Sequence, residues 1–233
     1  MPGYLAEVKS LIPPLALPGV YTPQEDTALL AGALSEEPLP PGADVLDVGT
    51  GTGALALQAA RRGGRVTAVD VSWRAVCTTR ANAWLTGASV RVHRGNLFAP
   101  VRDRSFDLIL TNPPYVPTPT GVRPPRGRAR AWDAGRDGRF VLDRVCCEAP
   151  TLLRPGGVLL IVHSELSDSG RTVGHLRAAG LKAAVTRRHR IAFGPVLRTR
   201  EDWLRECGLL SADAADSADE KEELVVVRAE LPL

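Results

Sequence analysis

LDVGTGTGALAL, residues 46–57, joins an apolar, strand-like run to good helix formers through three glycines at alternate positions, Gly49, Gly51 and Gly53. Glycine lets the chain turn sharply and lets another group approach the main chain where a Cβ would collide. The helix that follows begins with N–H groups that lack partners of their own, which suits an electron-rich ligand. Outward from this turn, residues 41–112 alternate strand-like and helix-like pieces: DVLDVG, ALALQAARRG, RVTAVDVS, WRAVCTTRANAWL, SVRVHRG and FDLILTN. That alternation predicts a parallel sheet with crossover helices.

Downstream, a helix-like segment from Arg139 to Leu153 and the turn RPGG lead to VLLIV, residues 158–162, a fifth buried strand. RTVGHLRAAG reads as a helix closed by Gly180. AAVTRRHRIAF, residues 183–193, and EELVVVRAEL, residues 222–231, read as an antiparallel hairpin. The small, acidic SADAADSADEKEE, residues 211–223, reads as a mobile solvated loop between them. Two segments read as irregular: PPLALPGVYTPQEDT, residues 13–27, and PTPTGVRPPRGRARAWDAGRDG, residues 117–138. Loops beside the carboxyl ends of parallel strands are where ligands bind in open α/β sheets.

A length of 233 residues with 44% hydrophobic content predicts one domain over residues 1–233. No membrane span or secretory leader is expected, and the chain reads as cytoplasmic. A net charge of +3 does not announce a nucleic-acid protein, although 26 of the 29 basic residues are arginine. Cys77, Cys146, Cys147 and Cys207 lack metal-ligand spacing and read as buried thiols. His93, His163, His175 and His189 are scattered and read as structural, so no metal is expected.

Asp70 ends the second strand, 23 positions after Asp47, where a carboxylate can accept both hydroxyls of a ribose. The glycine spacing differs from G-x-G-x-x-G and lacks the Gly-Lys-Ser/Thr of a P-loop. With Asp47 two residues upstream, the turn resembles the cofactor motif of class I S-adenosylmethionine (SAM) methyltransferases. That resemblance implies a contact set of Asp47, Gly49, Thr50, Gly51, Gly53, Asp70 and Val71, with Asp70 on the ribose and Asp47 toward the methionine ammonium. In RGNLF it implies that Asn96, beside Leu97, accepts from the adenine amino group where Asp is more usual. An ordinary turn-forming Asn is the alternative.

TNPPY, residues 111–115, follows the apolar run FDLIL. Its two prolines fix φ and remove two backbone donors, and Asn112 is biased to an extended shape by the proline after it. The result is a rigid strip that presents the Asn112 side-chain oxygen and the Pro113 carbonyl as acceptors, with Pro114 and the flat ring of Tyr115 beside them. Such a strip suits a planar amine or amide, and no strong general base is evident, so proton loss to solvent is expected.

These residues together resemble the HemK family of protein-glutamine methyltransferases, which modify the glutamine of the Gly-Gly-Gln motif in peptide-chain release factors. GVYTPQEDTALL, residues 19–30, and AWDAGRDGRFVLDRV, residues 131–145, resemble its segments before the first core strand and after the catalytic loop. The resemblance covers Gly19 to about Val162 and fits the short branch, since about 40 residues precede the first strand. It implies a Rossmann-like α/β fold: a mostly parallel seven-stranded sheet, helices on both faces and a C-terminal antiparallel hairpin. It implies SAM as cofactor, and residues 1–40 closing its pocket through Tyr21, Thr22, Glu25, Asp26 and Thr27. Thr27 reads equally as a helix-start residue.

The implied acceptor is a protein glutamine, with protein lysine proposed for some short members and a small partner protein used by others. An adenine-amino methyltransferase acting on DNA or RNA shares these catalytic residues, but no segment is large enough for a separate target-recognition domain. A SAM-binding partner protein without turnover is the reading from another class. Arg123, Arg126, Arg128 and Arg130 read as a solvated loop in preference to a contact for an acidic protein face or RNA.

Overall fold

The computed structural model describes residues 15–121, 127–210 and 221–233. In chain order these form α1 (Glu25–Glu36), β1 (Asp44–Val48), α2 (Ala54–Arg61), β2 (Arg65–Asp70), α3 (Trp73–Leu85), β3 (Val90–Arg94), β4 (Phe106–Thr111), α4 (Leu142–Glu148) and β5 (Leu153–Ser164). There follow α5 (Ser169–Ala178), β6 (Lys182–Ala192), α6 (Pro195–Arg198), α7 (Glu201–Glu206) and β7 (Lys221–Glu230).

One seven-stranded sheet has the order β3-β2-β1-β4-β5-β7-β6. The first five strands are parallel and β7 runs antiparallel to both β5 and β6. From β1 the chain steps through α2 and α3 toward one edge, and from β4 it steps through α4 toward the other. Right-handed crossovers in opposite directions place those helices on opposite faces. They also leave a crevice between the ends of β1 and β4, where the order reverses. The central strands are buried apart from the half-buried Asp107, which is why DVLDV and FDLILT are apolar except for Asp47, Asp107 and the strand ends Asp44 and Thr111.

At the amino ends, opposite the crevice, Asp44 of β1 pairs with Arg65 of β2 at 2.7 Å and with Arg154 of β5 at 2.6 Å. Arg154 also reaches Asp107 of β4 at 2.7 Å. Four strands are tied in one charged cluster, and the hydrogen bond from Arg65 heads the causes that hold the Asp44 carboxyl below its ordinary range.

Several boundaries differ from the sequence expectations. Glu25, Asp26 and Thr27, read as irregular, form the first turn of α1, whose ALLAGALSE continuation is rich in helix formers. Thr27 is the third residue of that helix, and Gln24 occupies the cap position. The segment read as a helix to Leu153 is shorter: α4 ends at Glu148 and a 3-10 turn covers Ala149–Leu152, with Pro150 at its start. RPGG lies inside β5 as a bulge, because the register jumps from Phe106–Leu153 to Leu108–Val158.

The hairpin forms as expected, but α6 and α7 are inserted between its strands; Glu222 and Glu223, which the loop and strand readings shared, belong to β7, as does Lys221, read as loop. Residues 211–220 lie outside the described residues. Of the cysteines only Cys146 is buried, while Cys77, Cys147 and Cys207 are exposed. A 100° step between helical neighbours lets only one of Cys146 and Cys147 face the core. His163 is fully buried, and burial drives its ring down to about 4, so it is neutral and structural. Among the described residues no helix is long and apolar enough to cross a membrane.

Candidate active site

A cleft of about 1030 Å³ opens where β1, β2 and β4 end, a size that admits a nucleoside cofactor together with an acceptor side chain. Its floor is the glycine turn. Gly49, Gly51 and Gly53 all have positive φ, at 76°, 57° and 88°, which L side chains rarely adopt. A Cβ on Gly51 would project to 3.4 Å from the Tyr21 carbonyl, and one on Gly53 to 2.8 Å from Thr79 Cγ2. Gly51 therefore keeps the main chain bare beneath the N-terminal segment. Gly53 serves close packing on α3 and does not line the cleft.

The two acids of the motif take different places. Asp70 lines the cleft, its Oδ2 accepts from Gly51 N at 3.0 Å, and its Oδ1 accepts from Ser72 N at 2.8 Å. Asp47 is fully buried behind the turn, where Oδ2 accepts from the Thr50 hydroxyl at 2.6 Å and from Ala56 N at 3.2 Å. Burial pushes its carboxyl up to about 7. Asp47 does not line the cleft, whereas Thr50, whose hydroxyl it holds, does.

Val71, Asn96 and Leu97 line the adjoining wall. Asn96 Oδ1 lies 3.5 Å from Arg144 NH1, and Leu97 has a φ of 50°, a strained value for a branched side chain next to the expected adenine position. The N-terminal segment crosses above. Asn82 brackets Leu15 with two bonds of 2.9 Å, Arg74 reaches the Pro18 carbonyl at 3.2 Å, and Gly19, Val20 and Tyr21 face the cleft. Thr22 is exposed and does not line it.

The rigid strip sits on the opposite wall, and one carboxylate organises it. Asp26 Oδ2 accepts from Tyr21 OH at 2.8 Å, from Asn112 Nδ2 at 2.9 Å and from Tyr115 OH at 3.1 Å. Asn112 Nδ2 also lies 3.3 Å from the Thr27 hydroxyl. Because the amide nitrogen of Asn112 is engaged with a carboxylate oxygen, its own oxygen is left for an incoming N–H donor. Burial first, and then Asp26, raise both tyrosine hydroxyls well above their ordinary range, so they remain donors. Asn112, Pro113, Pro114, Tyr115, Glu25, Asp26 and Thr27 all line the cleft.

The loop after the strip folds back and fixes it. Val116 N donates to Trp132 O at 2.8 Å and Ala134 N to Val116 O at 3.0 Å. Arg200, just before α7, reaches Pro117 O at 2.8 Å and Asp133 at 2.7 Å. Of the arginines read as a solvated loop, Arg130 lines the cleft, while Arg123 and Arg126 lie outside the described residues. Arg128 starts a 3-10 turn, Arg128–Ala131.

Sequence reasoning missed one wall entirely. Ile191 and Ala192 of β6, Glu222 and Leu224 of β7 and residues 194–197 also line the cleft. The alternation in EELVVV was the available signal, since it places Glu222 and Leu224 on one face.

A bare glycine floor between two lined walls, with the Asp70 carboxylate lining the cleft at the end of β2, fits an adenosyl cofactor held across a switch-point crevice. Together with the strand order, this makes the protein a class I SAM-dependent methyltransferase.

Residues 15–120 match the family described as Methyltransferase small domain. A candidate protein N5-glutamine methyltransferase of Methanocaldococcus jannaschii is 35% identical over 177 residues, covering 76% of this chain and 88% of the relative. The release factor glutamine methyltransferase of Gloeobacter violaceus is 37% identical over 171 residues, covering 70% of this chain. This chain spans 55% of that relative's length. Among solved structures, the E. cuniculi Mtq2-Trm112 complex, responsible for methylation of the eRF1 termination factor, aligns with a TM-score of 0.64 at 23% identity. That alignment covers 91% of this chain and 99% of the other, and shows the same fold. The chain belongs to the HemK-type family of protein-glutamine methyltransferases and is a SAM-dependent N-methyltransferase.

Asp70→Ala is expected to weaken SAM binding by roughly 10²-fold, the effect of two charge-assisted hydrogen bonds, partly through release of Gly51 and Ser72. Calorimetric titration of SAM checks it, and near-normal affinity would show that the ribose is held elsewhere.

Proposed function

We propose that the protein methylates the side-chain nitrogen of a glutamine in a protein substrate, specifically the Gly-Gly-Gln glutamine of a peptide-chain release factor. The observation that carries this reading is the hold of Asp26 on the amide nitrogen of Asn112, which leaves the amide oxygen of this cleft-lining residue to accept from an incoming donor. A carboxamide offers two in-plane N–H groups, and the Asn112 oxygen and the Pro113 carbonyl are spaced along one stiff strip to take them.

An amide nitrogen is a poor nucleophile, because its lone pair is shared with the carbonyl by the resonance that raises peptide rotation to ~18–20 kcal/mol. The bound cofactor supplies an electrophilic methyl on a sulfonium. The chain's own contribution is alignment of the nitrogen with that methyl, worth up to ~7–11 kcal/mol in favourable cases. Acceptors on the N–H groups then stabilise the positive charge that develops on nitrogen. Tyr115, anchored through its hydroxyl, keeps its ring against the strip and away from bulk water. The relatives named for glutamine methylation support this acceptor.

The test is incubation with methyl-labelled SAM and, separately, release factors, a total protein extract, DNA and RNA. Label on a release-factor glutamine is expected. Label confined to nucleic acid would replace this reading with the adenine-amino one.

A further inference from the structure

Glu222, the second residue of β7, shares a face with Leu224, and both line the cleft. Across the antiparallel ladders Leu224 lies opposite Ser164 and Glu222 opposite Ile191, so the four side chains share a face. Glu223 points to the other face, where Arg188 and Arg190 hold it at 2.6 and 3.1 Å. Glu222 is only 6% exposed. Ser164 favours the ionised form of its carboxyl, and Oε1 is buried with no partner.

The titratable groups that face Glu222 are Glu25 and Asp26 from α1, Tyr21 ahead of it and Tyr115 of the strip. All are acids or phenols. Burial, with Asp26 and Glu25 adding to it, pushes the Glu222 carboxyl up to about 7. A buried carboxylate oxygen without a donor is unfavourable by itself, and its place in the cleft wall beside Asp26 and Tyr115 suits a ligand that brings a proton.

Resting on the acceptor reading above, we propose that Glu222 is a further catalytic residue of the methyl transfer, with Oε1 receiving the proton that the acceptor nitrogen loses. In the flat amide both N–H groups lie along the Asn112–Pro113 strip. As the nitrogen lone pair forms the new N–C bond, the methyl leaves sulfur, which keeps the electron pair. The nitrogen becomes tetrahedral, its protons leave the amide plane, and one passes to the Glu222 carboxylate. The products are an N-methyl amide, a neutral thioether and a carboxylic acid, so charge and atoms balance. A base whose affinity for protons is matched to neutral pH is the efficient choice for this step. It replaces the loss to solvent expected from the sequence.

Single-turnover transfer across a pH series tests the proposal. The wild-type rate should rise through a midpoint near neutrality, and Glu222→Gln should lower it by roughly 10²-fold and flatten the profile. SAM affinity and melting temperature should stay close to wild type, and Glu222→Asp should restore part of the rate. Independently of turnover, selective ¹³C-carboxyl labelling of glutamate should show one carboxyl titrating near neutral pH in the wild type and missing in Glu222→Gln. The aspartate Asp47 is silent in that experiment.

A Glu222→Gln variant that keeps the rate and its pH dependence would overturn the proposal, as would the absence of a near-neutral glutamate in the wild type. The acceptor reading fails separately. Wild-type transfer to adenine instead of glutamine would contradict it, and the same comparison on adenine would still decide the role of Glu222.

Discussion

Asn112→Ala is expected to lower methyl transfer by roughly 10²–10³-fold, the range found when a single hydrogen-bonding group aimed at developing charge is removed. The physical reason lies in the site's hierarchy. Asp26 holds the amide nitrogen of Asn112 at 2.9 Å, and that bond leaves the amide oxygen to accept from an incoming N–H. Alanine deletes the acceptor but leaves Asp26 with the Tyr21 and Tyr115 hydroxyls at 2.8 and 3.1 Å, so the fold and the cofactor floor stay in place. The loss should therefore fall on the transfer step while SAM affinity remains close to wild type, a split read by single-turnover kinetics beside equilibrium binding. A variant with near-normal transfer would show that the strip does not orient the acceptor.

Gly138→Ala is expected to have the largest structural effect. Gly138 sits at φ +69°, where a Cβ would overlap the Tyr115 carbonyl oxygen and the Ser167 hydroxyl. Ser167 Oγ donates to that same carbonyl at 2.7 Å, and Arg139, nearly fully buried, caps the Ser167 and Asp168 carbonyls behind it. The left-handed conformation costs an alanine about 1–2 kcal/mol and overpacking adds about 1–3. For a chain of this size that sum lowers the melting temperature by about 4–20 °C. Because the displaced atom belongs to the backbone of Tyr115, transfer should fall even at temperatures where the variant is folded. Gly174→Ala is the control: it lies inside α5 with nothing within 4 Å of its added methyl, and should be neutral or slightly stabilising.

These two residues differ in how they could be found. Asn112 was legible because two prolines after a buried strand leave few conformations, and the glycine turn placed that strand beside a cofactor. Gly138 was legible only as part of an Asp and Gly-rich stretch, since its contact with Tyr115 joins a loop to a strip 23 positions earlier. The parallel half of the sheet followed from strand-length apolar runs separated by helix-length segments. The insertion of α6 and α7 did not, because helices of four and six residues carry too little periodicity to stand out.

Asp26 was expected at the pocket through the resemblance, but three donors meeting on one of its oxygens is a tertiary fact that no local pattern encodes. Glu222 was hidden for a different reason. It sits where the small, acidic stretch read as a loop overlaps the strand EELVVVRAEL, so its face was undetermined, whereas the strand register places it on the cleft face and sends Glu223 to the arginines. A charged residue at the start of a strand reads like a loop residue until its pairing partner is known.

The central claim is that the cleft selects a planar carboxamide through the Asn112 oxygen. It is tested most directly by mass spectrometric mapping of a release factor after incubation with SAM and either the wild type or Asn112→Ala. A single methyl on the side-chain nitrogen of the Gly-Gly-Gln glutamine, present with the wild type and absent with the variant, is the predicted result. A methyl on any other residue type, or equal glutamine methylation by both proteins, would contradict the account.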